Sequence, residues 1–286
     1  MADGVARNLY HGALASLPAE VALHILFILK HRRLGNFRKP RTFSEKIQWR
    51  KLFDNDHRFA EWSDKVGVKR IVSELIGPEW VIPTLWDGPC LPPFEERRSW
   101  KVPFVVKANH GSGWNYFVRT QDDLNWKEIE ALATHWMASP WDLYLRENHY
   151  NYIPRRILVE PLIGDVTLMD YKFFCFGGRV KYIQIDTDRF RIHKRCFYDR
   201  EWNKQTFTLK FPFEQASINP PENLGAMIHA AERLALDFDF LRIDLYDLPG
   251  HALFGEATFL PGSGLEVFSH PSIDRHFGEL WEALSG

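Results

Sequence analysis

Four sets of residues in this 286-residue chain have types and spacings that could do chemistry. Lys107 ends the apolar run Phe104-Val-Val and precedes Gly111-Ser112-Gly113. Glycines let backbone N–H groups approach and cradle phosphate oxygens, and a lysine adds charge. The same residues would also make a tight hairpin turn, and the Gly-Lys-Ser/Thr ending of a P-loop is missing. Asp170 and Lys172 stand two apart in an extended segment and so share one face. In isolation they could equally be a surface ion pair. Arg242 and Asp244 share a face of the apolar segment 241–245, where charges require partners or a metal. Glu256 closes the next extended segment, ahead of Thr258 and Pro261-Gly262-Ser263-Gly264. The turn Leu248-Pro-Gly250 brings Asp244 and Glu256 within reach of each other. Two converging carboxylates repel unless a cation lies between them, and hard oxygen ligands suit Mg²⁺ on nucleotide phosphates. A glycine loop, three cationic side chains and two acids form an inventory for polyphosphate with magnesium.

The elements that must position these groups can be read from pattern. Strands are predicted over 80–82, 104–107, 114–118, 156–160, 170–176, 180–185, 241–246 and 252–256, with Gly177-Gly178 as a two-residue hairpin turn. Helices are predicted over 21–29, from a Thr42–Glu45 capping box onward, over 63–76 ending at Gly77-Pro78, over 126–137 and over 223–236. Helices alternate with hairpins rather than with single parallel strands. That pattern predicts an α+β fold with antiparallel sheets, not a doubly wound Rossmann sheet.

Composition narrows the class. Lys plus Arg is 36 and Asp plus Glu is 37, a net charge of −1, which excludes a globally basic coat for nucleic acid. Apolar residues make up 45%, enough for a substantial core, and aromatics reach 15%. That excess predicts large cores, with some rings left to line a sugar or nucleotide groove. Cys90, Cys175 and Cys196 are too scattered for a disulfide framework or zinc spacing, which fits a reducing cytosol. No apolar run approaches a membrane span, and the N-terminus lacks the features of a signal peptide. Residues 30–51 hold nine Lys/Arg against the single acid Glu45. They would form either a solvated helix face or a landing strip for a polyanion or an anionic membrane.

The ordered set of motifs resembles the ATP-grasp superfamily, and more narrowly its TupA-like branch, named for teichuronopeptide biosynthesis. The stretches that carry this are Thr42-Phe-Ser-Glu-Lys-Ile-Gln-Trp49, Ser63-Asp-Lys65, Lys107-Ala-Asn-His-Gly-Ser-Gly113, Val159-Glu-Pro-Leu-Ile163, Asp170-Tyr-Lys-Phe-Phe-Cys-Phe176, Phe197-Tyr-Asp199, Arg242-Ile-Asp244 and Phe254-Gly-Glu-Ala-Thr-Phe259. The resemblance covers about residues 40–280. It implies two α+β lobes gripping ATP between antiparallel sheets, behind a helical N-terminal segment. The expected division is 1–60 for the basic helical segment, 61–160 for the lobe with the glycine loop and 161–286 for the lobe with the metal site.

The resemblance also implies roles. Lys107 would contact nucleotide and phosphates, with His110, Gly111, Ser112 and Gly113 in or beside the lid. Glu160 and Leu162 would belong to a hinge, 160–163, whose backbone pairs with adenine. Asp170 would lie near the ribose or acceptor. Lys172 and Arg242 would act on the phosphates, and Asp244 and Glu256 would hold Mg²⁺. Thr258 stands where many superfamily members carry Asn, which leaves a second metal open. The implied activity is an ATP-dependent carboxylate–amine ligation through an acyl phosphate, in a surface-polysaccharide setting. Residues 30–51 and the cluster Arg189, Arg191, His193, Lys194 and Arg195 are compatible with a polyuronate acceptor. Two other classes stand beside it. One is a glycosyltransferase, for which Asp186-Thr-Asp188 is the sole DXD-like match; the other is a non-catalytic nucleotide-binding protein.

Overall fold

The computed structural model describes residues 10–141, 143–164, 168–187 and 192–281. Two antiparallel sheets organise it. The smaller has the order β1 (Trp86–Gly88), β4 (Ile157–Pro161), β2 (Phe104–Ala108), β3 (Asn115–Val118). The larger has the order β7 (Lys194–Asp199), β6 (Arg179–Thr187), β5 (Asp170–Phe176), β8 (Phe240–Leu248), β9 (His251–Thr258). Around them lie helices α1 (Ala19–His31), α2 (Phe43–Phe53), α3 (Arg58–Ser63), α4 (Gly67–Ile76), α5 (Phe94–Arg97), α6 (Trp126–Ala138), α7 (Leu224–Ala235) and α8 (Pro271–Leu280).

Alternation along β2 and β4 explains the smaller lobe. Phe104, Val106 and Ala108, with Ile157 and Val159, pack against Ile129, Ala133 and Trp136 of α6. The opposite face of β2, with Val105 and Lys107, is left for the cleft. In the larger lobe every residue of β5 is buried, because helices cover both sheet faces. Ala231 of α7 meets Cys175 on one side, its carbonyl accepting from the thiol at 3.8 Å. On the other side Phe43 of α2 and Phe277 of α8 join Phe174, Phe176, Phe240 and Trp281 in a cluster of rings 4.7–6.2 Å apart. The aromatic excess is therefore spent largely in this core, where edge-on and tilted rings bury much area per residue.

The capping box at the start of α2 forms as expected: Thr42 Oγ1 accepts from the Glu45 amide at 3.3 Å and Glu45 accepts from the Thr42 amide at 3.2 Å. The basic stretch is only partly a surface feature. Arg33 binds Glu45 at 2.6 Å and Asp274 at 3.2 Å. Arg50 is buried, pairs with Asp239 and with Asp54 at 3.3 Å, and stacks on Trp281 with its guanidinium carbon 4.3 Å from the ring centre. Lys51 and Gln48 donate to the Ser263 carbonyl at 2.8 and 2.9 Å. Lys30, Arg32, Arg38, Lys39 and Arg41 remain exposed. A uniform solvated face or landing strip over 30–51 is thus corrected: the α2 half, with Arg33, builds the fold.

Three expectations shift. The helix expected over 63–76 begins at Gly67, because Asp64 folds back on itself, its carboxylate accepting from the Val66 amide at 2.9 Å. Residues 78–80 form a 3₁₀ turn rather than the start of a strand. Elements β1, β7 and α8 went unread, since β1 is three residues long, β7 opens on Lys-Arg, and α8 has few apolar residues in PSIDRHFGEL. Arg189 and Arg191, expected in the second basic cluster, and Asp188 of the DXD-like match lie outside the described residues.

Arg50→Ala should lower stability by about 3 kcal/mol, because it leaves Asp239 and Asp54 without their buried partner. Arg38→Ala should change stability by less than about 0.5 kcal/mol, because its pair with Glu20 is exposed. Thermal unfolding of the two variants checks the contrast. Equal melting temperatures would contradict the structural role of Arg50.

Candidate functional site

Between the two sheets lies a cavity of about 630 Å³. The smaller sheet contributes Val105, Lys107, Asn115 and Phe117, and Glu160 through Ile163 follow from β4. The larger contributes Asp170, Lys172, Asp244, Tyr246, Phe254 and Glu256. The helical layer adds Lys65 just before α4 and Val68 and Lys69 within it.

The floor is a charged row written across three strands. Antiparallel register sets Lys172 opposite Asp244, and Asp244 opposite Glu256. Lys172 donates to both Asp170 and Asp244. Arg242, one row along and opposite Thr258, reaches Asp244 at 2.6 and 2.8 Å and Glu256 at 3.0 Å. It also donates to the Thr258 hydroxyl at 3.0 Å, and that hydroxyl donates to Glu256 at 3.1 Å. Gly255 is the extra residue of a β-bulge here: Asp244 pairs with Glu256 while Leu245 pairs with Phe254. A Cβ on Gly255 would stand 3.0 Å from the Asp244 carbonyl and 3.1 Å from the Tyr246 ring. Only a glycine lets β9 lie so close and aim Glu256 as it does.

Three carboxylates share two cations, and burial separates their behaviour. Burial raises the innermost acid, Asp244, to about 6 against the pull of Arg242 and Lys172. For Glu256 the opposing effect of burial is outweighed by Arg242, Lys172 and Lys65, which hold it down to about 2. Its side chain keeps 45% exposure, open toward the cavity. Burial works against the charge of Lys172, yet Asp170 and Asp244 raise its pKa.

The opposite wall is cationic. Glu160 is clasped by Lys107 at 2.6 Å, a diagonal cross-strand pair, and by Lys69 at 2.5 Å. Burial would raise its pKa, but the two lysines keep it below the usual carboxylate range. Lys69 also donates to the Ile82 carbonyl at 2.8 Å and the Thr84 hydroxyl at 2.7 Å. Lys65 donates to the Gly111 carbonyl, and burial depresses its pKa to about 8. Arg119 joins them at the edge of the cavity.

The expected site residues divide by position. Lys107, Ser112, Gly113, Glu160, Leu162, Asp170, Lys172, Asp244 and Glu256 line the one cavity. His110, Gly111, Arg242 and Thr258 stand behind its lining. His110 is buried between the Asn109 side chain at 3.1 Å and the Trp136 carbonyl at 3.2 Å, and burial depresses its pKa. Gly111, at φ 108°, lies against the Trp141 indole, where any Cβ would collide. The Leu162 amide donates to the Pro103 carbonyl at 3.1 Å, so it ties residues 160–163 to the start of β2. Lys65, Lys69 and Arg119 were not among the expected site residues. The motif Ser63-Asp-Lys65 held the signal for the first, and the four-residue spacing to Lys69 for the second.

Among the described residues no group of three or more His, Cys, Asp or Glu could hold a metal. The two acids on neighbouring strands do fit Mg²⁺ in its usual nucleotide setting, where one or two carboxylates are completed by phosphate oxygens and water. Glu256, anionic and half-open, fits directly; Asp244 would exchange part of its contact with Lys172. Thr258 is placed to orient Glu256 and Arg242.

The arrangement is similar to D-alanine–D-alanine ligase from Bacillus anthracis, at 16% identity and TM-score 0.44, over 71% of this chain and 58% of that one. It is similar to the ADP complex of N5-carboxyaminoimidazole ribonucleotide synthetase, at 12% and 0.46, over 75% and 50%. It is also similar to an ATP-grasp ligase, PsnB, complexed with a phosphomimetic precursor variant, Mg and ADP, at 12% and 0.43, over 84% and 66%. The chain thus spans between half and two thirds of the length of these solved chains. No curated sequence relative matches it. The family model of the TupA-like ATP-grasp proteins, however, matches residues 45–282, which include both sheets and the whole charged floor, and the chain therefore belongs to the TupA-like ATP-grasp family.

Proposed function

We propose that this chain is an ATP-dependent carboxylate–amine ligase that works through an acyl phosphate, joining a uronic acid to an amino acid or another amine in surface-polysaccharide biosynthesis. The observation that supports it best is the polarity of the cavity between the sheets. Val81, Ile82, Leu162, Leu168 and Phe254 give apolar surface for a purine, while Lys65, Lys69, Lys107 and Arg119 line the side opposite Asp244, Glu256 and Lys172. In this reading residues 61–160 and 161–286 act as two lobes on the nucleotide, and 1–60 braces them.

The γ-phosphoryl group passes to a carboxylate oxygen of the substrate and ADP leaves. The amine then attacks the acyl carbon, phosphate departs with that oxygen, and the nitrogen loses a proton. Lys107 and Lys172 bind and orient the phosphates, and the Arg242 fork keeps Asp244 and Glu256 aimed. Lys65 ties the glycine loop to the cavity through the Gly111 carbonyl. Asp244 and Glu256 would hold Mg²⁺, which supplies neutralisation of charge on the transferring group. A glycosyltransferase gains little here, because Asp186 of the DXD-like match is bound by Arg195 at 2.5 and 3.2 Å. The deciding experiment incubates the chain with ATP, Mg²⁺ and a panel of uronates and amines. One pair yielding ADP, phosphate and an amide establishes the class.

Three outcomes are expected. ATP with Mg²⁺ at ~100 times its Kd should stabilise the fold by about 2.7 kcal/mol, seen as a raised melting temperature. A shift with UDP-sugars and none with ATP would overturn the ligase reading.

Glu256→Gln and Asp244→Asn keep shape but remove the anionic oxygens, so ADP formation should drop about 10²-fold or more at saturating Mg²⁺. Thr258→Asn should stay within about tenfold of the parent, since an amide can still accept from Arg242 and donate to Glu256. Near-native turnover in the two acid variants would displace the metal site.

Lys65 loses its proton as pH rises through about 8, and with it an attraction for phosphate. On the alkaline side kcat/KM for ATP should therefore fall with a slope near −1. Lys65→Arg, which stays charged, should keep the profile flat to higher pH. An unchanged alkaline limb in that variant would rule Lys65 out.

A further inference from the structure

Helix α1 buries Ala22, Leu23, Leu26 and Phe27. On its other side Val21, Ile28 and Leu29 are 46%, 42% and 46% exposed, with half-buried Ile25 among them. At about 100° per residue, Val21 and Ile28 fall on the side opposite the core stripe, with Leu29 at its edge and Ile25 between them, partly packed on the core. Leu34, 69% exposed, follows on the next loop. A single exposed aliphatic residue is ordinary; an unbroken stripe on one helix marks a contact surface.

Charge identifies what would cover it. Lys30, Arg32, Lys39 and Arg41 are exposed within the same short segment. The only acids between residues 19 and 53 are Glu20, paired with Arg38 at 2.8 Å, and Glu45, buried on Arg33. The exposed cations Lys30, Arg32, Lys39 and Arg41 thus stand with no exposed acid among them except Glu20, which Arg38 engages, and make this surface basic in a chain whose net charge is −1. A second copy meeting the same surface would set cation against cation. A soluble polyanion would need the cations but not the aliphatic stripe. Most of this surface also precedes the family match at 45–282, so the shared fold does not demand it.

We infer that the outer stripe of α1 docks on an anionic lipid surface. Val21, Ile28 and Leu29 enter the boundary between headgroups and acyl chains, and Arg32, Lys39 and Arg41 lie among the lipid phosphates. Among the described residues no helix is long and apolar enough to cross a membrane, so the contact is one of lying on the surface. The inference does not rest on the ligase reading: lipid binding and stabilisation by ATP–Mg²⁺ are separate readouts, and either can fail alone.

The test floats the full chain with phosphatidylcholine vesicles and with vesicles in which about one third of the lipid is phosphatidylglycerol. Binding is expected only to the anionic vesicles, with release as salt is raised to about 0.5 M. The double variants Arg32→Glu/Lys39→Glu and Ile28→Ser/Leu29→Ser should each cut the bound fraction at least ~10-fold. Both should keep the parent melting temperature, because all four side chains are exposed. Should one melt early, the lipid-charge and salt dependence of the unaltered chain decides. Absence of binding to anionic vesicles overturns the inference. So does binding that ignores lipid charge, or loss in the charge variant alone accompanied by capture of a soluble polyuronate. Self-association abolished by Ile28→Ser/Leu29→Ser would assign the stripe to a second copy instead.

Discussion

The buried charge row of the larger sheet is the constraint on which the rest depends. Lys172, Asp244 and Glu256 stand abreast on β5, β8 and β9, with Asp170 beside the first and Arg242 behind the last two. Five charges this close inside a sheet are costly to desolvate, and removing one leaves another uncompensated. Two features make the arrangement tolerable: Lys172 bonds to both Asp170 and Asp244, and the Arg242 guanidinium serves both Asp244 and Glu256 in a planar fork. Both require one register of three antiparallel strands. A slip of a single residue would send every charge into the core and bring Phe173 and Ile243 to the cavity. The large aromatic core under the other end of the same face holds that register, and the Gly255 bulge trims β9 so that Glu256 faces the cavity instead of the ladder.

Across the cavity the chain does the opposite. Lys65, Lys69, Lys107 and Arg119 come from the helical layer and the smaller sheet, with only Glu160 among them. Glu160 already holds two of these lysines, so it keeps them parallel and close despite their repulsion. One wall is a surplus of cations and the other pairs its acids with two cations. A ligand that carries both phosphate and a bound metal thus meets complementary charge from each side, in an order that fixes which end points where. Positioning of this kind needs little movement at the moment of reaction, which is why phosphoryl-transfer sites depend on it.

What the sequence revealed of this site follows the same physics. Period-two alternation with charges set into apolar runs made Asp170, Lys172, Arg242 and Asp244 readable, because a charge inside such a run has few explanations. The glycine-rich loop and the Gly177-Gly178 hairpin were legible from backbone demands alone. Lys69 was not singled out, since on a helix a lysine looks the same whether it faces water or a cleft, and Lys65, though part of the Ser63-Asp-Lys65 motif, sits in a turn whose direction the sequence does not show. His110 resembled a site residue by its place in the motif; only packing shows its ring turned away toward Asn109 and the Trp136 carbonyl. Elements β1 and α8 lacked the local signal altogether. One is three residues long, and the other owes its stability to Phe277 in the core rather than to helix propensity.

The basic segment shows how one run of sequence can serve two ends. Its α2 half is turned inward. Arg50 crosses the core floor to Asp239 and the Phe240 carbonyl, just ahead of Arg242 on β8, while Gln48 and Lys51 pin the carbonyl of Ser263 in the turn that follows β9. Ser263 sits at φ 58°, a conformation that costs a non-glycine residue about 1 kcal/mol or more and persists only when its surroundings fix it. Two cations and one amide from the same stretch thus brace the strands that carry Asp244 and Glu256 at the end of the hairpin where β8 begins and β9 stops. The α1 half instead leaves its cations in solvent beside an aliphatic stripe. Both halves are net basic, so composition does not tell the inward cations from the outward ones. The separation comes from which carbonyls and carboxylates the fold brings within reach of each side chain, and that is a property of the tertiary structure alone.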